Sequence, residues 1–306
     1  MGVIEKVFIF NKFRMKLESI SAFKYSTRSL NDKNNKIRES IIKAVINKDV
    51  PREYYFVSEW QKAKEGIEDY LTKMITRPYE SIVCQAKAGR KFNYDFNFKV
   101  QYDVTEVEDF HVEFKYNASC VDNVPQFVSP MRPSQYLSQS YEEYYYEKYL
   151  PVLAQLSGFC VPLKEDFMKQ IHSNKPKCMK KFQEMYYQGC SKSSKYTGKT
   201  EDIEFYELAK KTSKESIENF IKETELNIRL LSNYLYDSQK GKNYMLYLEE
   251  TFHLQVVDID DYRIESVVKN PEMSCYDCLT KSGKKMKILL RWKNGNGIAF
   301  PAFQIS

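Results

Sequence analysis

Asp95, Glu113 and Lys115 are the residues whose types and spacing could do chemistry. They lie in Tyr94-Asp95-Phe96-Asn97-Phe98 and His111-Val112-Glu113-Phe114-Lys115-Tyr116, which both alternate apolar and polar residues. A period of two is the mark of a strand with one buried face. Glu113 and Lys115, two residues apart, therefore project from the same side of the second strand. Two carboxylates can hold a divalent cation, and an ammonium beside them can orient or help deprotonate an attacking water. An Asp on one strand with Glu-x-Lys on its neighbour is what a metal-dependent phosphodiesterase site needs. The triplet stands out, because the chain has no other Glu-x-Lys and no Asp-x-Lys although it is rich in lysine and glutamate.

Asp95, Glu113 and Lys115, in their strand–turn–strand context over residues 76–150, resemble the PD-(D/E)XK nuclease superfamily, which has the restriction-endonuclease-like fold. Tyr94 stands where the family pattern has proline. The resemblance implies an α/β fold with a mixed central sheet flanked by helices. It implies that Asp95 and Glu113 bind Mg2+ (or Mn2+), joined by the backbone carbonyl of Phe114, while Lys115 positions the nucleophilic water. Burial beside a cation favours the neutral amine of a lysine, the form that accepts a proton. Family members often carry a helical acidic residue upstream of the Asp, and Glu80 is the residue considered for that place. A helix-start glutamate exposed to solvent is the plainer reading of Glu80. The plainer reading of the triplet is a surface hairpin whose solvated face carries Asp, Glu and Lys.

The chain has 306 residues, enough for one large domain or two ordinary ones. An apolar content of 42% excludes wholesale disorder. The 24 tyrosines and 19 phenylalanines accompany abundant Lys, Asn and Ile, all drawn from AT-rich codons. The aromatics are therefore read first as core residues, not as base-stacking platforms. The net charge of +6 suits a polyanionic partner only weakly. The clustering of Lys281, Lys284, Lys285, Lys287, Arg291 and Lys293 argues for one more directly. No run of about 18 apolar residues suggests a membrane span. Charges within residues 1–20 interrupt any signal-peptide apolar region, and seven cysteines in such a chain read as reduced thiols. The expectation is an intracellular protein of cytoplasm or nucleus, with no membrane partner.

The elements that must position the triplet follow from periodicity. A helical N-terminal segment over 1–75 has apolar stripes at Ile37, Ile41, Ile42 and Val45 and at Tyr55, Trp60, Ile67, Leu71 and Met74. A nuclease-like core over 76–160 opens with a short helix or loop from Tyr79 to Ala88. It continues with strands over Phe92–Val100 and Phe110–Asn117. The passage Val124 to Tyr136 has three prolines and is non-helical. Ser134 then caps a helix from Gln135 to about Leu150 whose Tyr141, Tyr145 and Tyr149 share one face. A mostly helical insertion over 161–243 precedes a C-terminal region of β-hairpins over 244–306. There Lys285, Lys287, Leu289 and Arg291 share one face of a strand that leads into the turn signal Asn294–Gly297.

Candidate nucleic-acid contacts are Gln126, Arg132, Ser134 and Gln135 in the proline-rich passage, and Lys285, Lys287, Arg291 and Lys293 on the basic strand. A lysine-protected edge strand reads the latter equally well. Cys275-x-x-Cys278 has metal-ligand spacing but no second pair to complete a zinc site, although distant Cys178 and Cys190 are available. No motif supports a histidine-dependent hydrolase, a Walker-type ATPase or a dinucleotide fold. By resemblance, double-stranded DNA is the expected substrate, and a homodimer is compatible with it. Two alternatives stand beside the nuclease: an inactive nucleic-acid-binding protein of the same fold, and a protein-interaction factor with a tyrosine-rich surface.

Overall fold

A computed structural model describes residues 8–10, 13–24, 30–87, 92–123, 126–127, 132–171, 199–292 and 301–306. In chain order these form strands β1 (Phe8–Phe10) and β2 (Phe13–Met15), helices α1 (Asn31–Ile46) and α2 (Ser58–Met74), and strands β3 (Ser81–Ala86), β4 (Phe96–Gln101), β5 (Val107–Tyr116) and β6 (Gln126–Phe127). Helices α3 (Tyr141–Lys148), α4 (Leu150–Ser157), α5 (Lys164–Gln170), α6 (Thr200–Glu223) and α7 (Ile228–Gln239) follow. The remaining strands are β7 (Lys242–Leu248), β8 (Thr251–Val256), β9 (Ile264–Asn270), β10 (Cys275–Thr280), β11 (Lys285–Trp292) and β12 (Pro301–Ile305). The architecture is mixed α/β, with a helical N-terminal part and C-terminal β-hairpins. The chain divides into two compact units, one of residues 1–124 and 238–258, the other of 125–237 and 259–306.

The first unit is built on a five-stranded sheet of order β3-β4-β5-β7-β8. The central pair β5 and β7 is parallel, and every other pair is antiparallel. A parallel pair needs a long connection; here it spans 117–241 and supplies most of the second unit. One face carries Phe96, Phe98, Val100, Val112, Phe114, Met245 and Phe252, packed with Ile41, Ile42, Trp60, Ile67 and Leu71 of α1 and α2. Fully burying such side chains contributes about 1.5–3 kcal/mol each. Gly66 lets α2 approach the sheet, since a Cβ there would stand 2.9 Å from Phe252 Cδ2. The tight turn joining β7 and β8 holds Glu249 and Glu250 at positive φ, 48° and 65°.

Arg38 anchors α1 from inside the core. It is completely buried, its Nε donates to the Ala22 carbonyl at 2.7 Å, and its guanidinium lies 3.3 Å from the ring centroid of Tyr116. The carbonyl, Asn35 at 2.6 Å and the aromatic face together replace the water that a buried cation loses.

The second unit holds a five-stranded antiparallel sheet of order β6-β12-β11-β10-β9. Its core includes a hydrogen-bonded cluster in which Trp292 Nε1 donates to Tyr141 Oη at 2.8 Å and Tyr141 Oη meets Ser216 Oγ at 2.7 Å. Tyr141, Tyr144 and Tyr145 are buried. Of the stripe Tyr141, Tyr145 and Tyr149, the first two are core and Tyr149 is half-buried.

Some local expectations need correction. Tyr79 to Ala88 is neither helix nor loop, because Ser81–Ala86 is an edge strand in register with β4. The helix expected from Gln135 to Leu150 is a short 3-10 turn over Pro133–Tyr136, then α3 and α4. Ser140, not Ser134, caps α3, accepting from Glu143 N at 3.3 Å. Strand β10 had no counterpart in the sequence reading. Asn294–Gly297 lies outside the described residues.

Candidate active site

Strand alternation aims Glu113 and Lys115 at the face of the first sheet opposite α1 and α2, because the intervening Phe114 enters the core. Their side chains are 14% and 17% exposed, and the Lys115 ammonium pairs with Glu113 Oε1. A second ammonium, Lys242 on the neighbouring parallel strand, pairs with Glu113 Oε2 and is only 4% exposed. Burial alone would push the Glu113 carboxyl up. The two ammoniums outweigh it and hold the group below the usual carboxylate range. Burial depresses Lys242, with Glu113 acting in the opposite direction.

Asp95 immediately precedes β4. Its own N–H donates to the Val112 carbonyl at 3.0 Å, and its Oδ2 accepts from Phe114 N at 2.9 Å. The backbone between Glu113 and Lys115 thus pins the Asp95 carboxyl beside them. Burial, and then the nearby Glu113 charge, raise Asp95 to about 6; Lys115 and Lys242 pull the other way. The three residues expected from the sequence therefore converge, with Lys242 as a fourth. Among the described residues Oδ1 of Asp95 has no hydrogen-bond partner.

Glu39 is the acidic residue that sequence reasoning missed. It lies half-buried on α1, and its side chain makes no hydrogen bond or ion pair among the described residues. Burial and the Asp95 charge raise it to about 8. Glu80, considered for the helical acid, instead lies exposed in the turn before β3, its N–H bonded to the Gln101 carbonyl at 2.8 Å. The arginine-directed side of α1 hid the signal: Glu39 directly follows the buried Arg38, off the apolar stripe that marks the helix. Tyr94, next to Asp95 in the chain, stacks on His111 of β5 with ring centroids 4.1 Å apart and rings within 7° of parallel.

The donor set suits a hard divalent cation. Mg2+ commonly takes one or two carboxylates and fills its other positions with water and phosphate oxygens. Asp95 and Glu113 provide two such carboxylates. Among the described residues, no three His, Cys, Asp or Glu side chains come together as a ready-made metal site. Phe114, expected to lend its carbonyl, has its side chain in the core against Phe23 and its N–H on Asp95.

The expected nucleic-acid contacts belong to the second unit. Lys285 and Lys287 are exposed on one face of β11 with Leu289 and Arg291, while Met286, Ile288, Leu290 and Trp292 are buried. Arg291 donates to Gln304 Oε1 at 2.7 Å. Arg132 and Gln135 are exposed, whereas the Ser134 hydroxyl is committed to Glu142 and to Tyr141 N. Gln126 contributes its backbone to β6 opposite Ile305, and its side chain is outside the described residues, as is Lys293. Cys275 and Cys278 are three apart on β10, so they point to opposite faces. Burial raises their thiols to about 11 and about 12, which suits packing and not ligation. Cys178 and Cys190 lie outside the described residues. No described helix is long and apolar enough to cross a membrane.

Compared with models of known protein families and with curated proteins, the chain matches none, so its function is argued from this site.

Proposed function

We propose that the protein hydrolyses phosphodiester bonds in DNA with the help of a divalent metal cation, Mg2+ or Mn2+. The observation that carries this reading is the convergence of Asp95, Glu113 and Lys115 on one side of a mixed sheet, with Phe114 N–H fixing Asp95 against Glu-x-Lys. The mixed sheet flanked by helices also supports it, as does the helical acid Glu39 near Asp95.

In this reading Asp95 and Glu113 hold the cation, and Lys115 orients the attacking water. Both acids are charged at neutral pH, Glu113 through its ammonium partners and Asp95 because about 6 lies below 7. Glu39 keeps its proton at neutral pH, because burial and the Asp95 charge outweigh the pull of Lys36. When bound, the cation polarises the phosphate and lowers the pKa of its water. Lys285, Lys287 and Arg291 of the second unit contact the DNA backbone, with Arg132 and Gln135.

The test is cleavage of plasmid and linear double-stranded DNA with Mg2+ or Mn2+, beside Glu113→Ala and Lys115→Ala. Metal-dependent cutting lost in both variants is the expected result. Cutting that survives both overturns the assigned site. Salt-sensitive, metal-independent DNA binding without cutting replaces the nuclease by an inactive binding protein.

A further inference from the structure

We infer that Lys242 is the resident counter-cation of this site and that it sets how tightly Glu113 takes up a divalent metal. The inference rests on the nuclease reading above. Its starting point is the way one carboxylate is shared: Oε1 of Glu113 holds Lys115 and Oε2 holds Lys242. The proposed chemistry asks for one lysine beside the water. The second ammonium has no part in that step, yet it is the most deeply buried of the three charged groups.

The placement of Lys242 follows from the fold. Gly241 adopts φ +73° between α7 and β7, a left-handed turn that glycine makes without penalty. It delivers Lys242 as the first residue of β7, in parallel register with His111, while Tyr244 pairs with Glu113. The ammonium lies 5.3 Å from the centroid of the Tyr244 ring and next to Glu113. Lys242 therefore approaches Glu113 from the strand beside β5, whereas Lys115 approaches along β5 itself.

Charge makes the consequence definite. Asp95 and Glu113 ionised, with Lys115 and Lys242 protonated, sum to zero, so the site folds without a metal and without a buried net charge. A carboxylate with an ammonium on each oxygen can coordinate a cation only by sharing or giving up one of them. Lys115 is needed at the water, which leaves Lys242 as the competitor. Removing its charge converts a neutral site into one of net charge −1. At a separation of a few ångströms in protein surroundings, that change is worth on the order of tenfold or more in affinity for a divalent ion.

The experiment measures Mn2+ binding to the full chain by calorimetry and electron paramagnetic resonance, at fixed pH and salt. The proteins are wild type, Lys242→Met, Lys242→Gln, Lys242→Arg and Glu113→Gln, with far-ultraviolet circular dichroism to check folding. Both neutral variants are expected to bind at least tenfold more tightly, Lys242→Arg within about threefold of wild type, and Glu113→Gln to lose the site. The Gln variant keeps the test available should Met fail to fold. A charge-dependent gain of this kind is not what a merely structural lysine would give. Binding that requires Glu113 but is unchanged or weaker in Lys242→Met and Lys242→Gln overturns the role of Lys242 and leaves the metal site standing. Absence of Mn2+ binding in every protein overturns both.

Discussion

Glu39→Gln should reshape the pH dependence of stability. The Glu39 carboxyl is raised from its ordinary value of 4.5 to about 8, by burial first and by Asp95 second. The folded chain therefore keeps a proton that the unfolded chain has lost, and the group destabilises the fold increasingly as pH rises from about 4.5 to about 8. Each pH unit in that window is worth about 1.4 kcal/mol, so the full shift corresponds to roughly 4–5 kcal/mol. Relaxation and water entry on ionisation should reduce this to about 2–3 kcal/mol. Glutamine keeps the shape and polarity of the protonated acid and does not titrate. Any fixed cost of the amide is the same at every pH, so the readout is the slope. Urea unfolding of both proteins in chelator at pH 5, 6, 7, 8 and 8.5 should show the variant gaining on wild type by about 2–3 kcal/mol between the ends of the series. A difference constant to within about 0.5 kcal/mol would refute the idea that desolvation and the Asp95 charge hold the Glu39 carboxyl protonated.

Two further outcomes test the packing that holds each unit. Replacing Glu249 and Glu250 by Asn and Gly should stabilise the β7–β8 turn by about 1 kcal/mol, because both residues occupy positive φ, where Asn-Gly is favoured; an unchanged or lower urea midpoint counts against that backbone geometry. Tyr141→Phe removes the oxygen that accepts from Trp292 Nε1 and should cost about 1–3 kcal/mol, read by thermal unfolding with Trp fluorescence.

What the sequence determined by itself was everything whose signal is local. The period of two in β4 and β5 places Glu113 and Lys115 on one face, and the burial of the alternating Val112 and Phe114 on the other follows that pattern. The apolar stripes of α1 and α2 and the alternation of β11 belong to the same class. Strand β3 escaped because it is an edge strand with one buried side chain, Cys84, so it carries no alternation to read. Strand β10 escaped because Cys275 and Tyr276, adjacent in sequence, are both buried and break the period. Ser134 looked like a helix cap, and only its bond to Tyr141 N shows that it closes the turn before α3.

Tertiary structure alone decided the rest of the site. Glu39 and Lys242 lie 74 and 129 residues from Glu113, and no local pattern links either to Glu-x-Lys. One arrives because its helix packs on the sheet, the other because β7 pairs in parallel with β5 after a long excursion of the chain. Burial then gives these two residues their chemistry. A glutamate and a lysine that would be ordinary surface groups in a helix or at a strand end are each shifted by burial and by the charged groups nearest to them, Asp95 for Glu39 and Glu113 for Lys242.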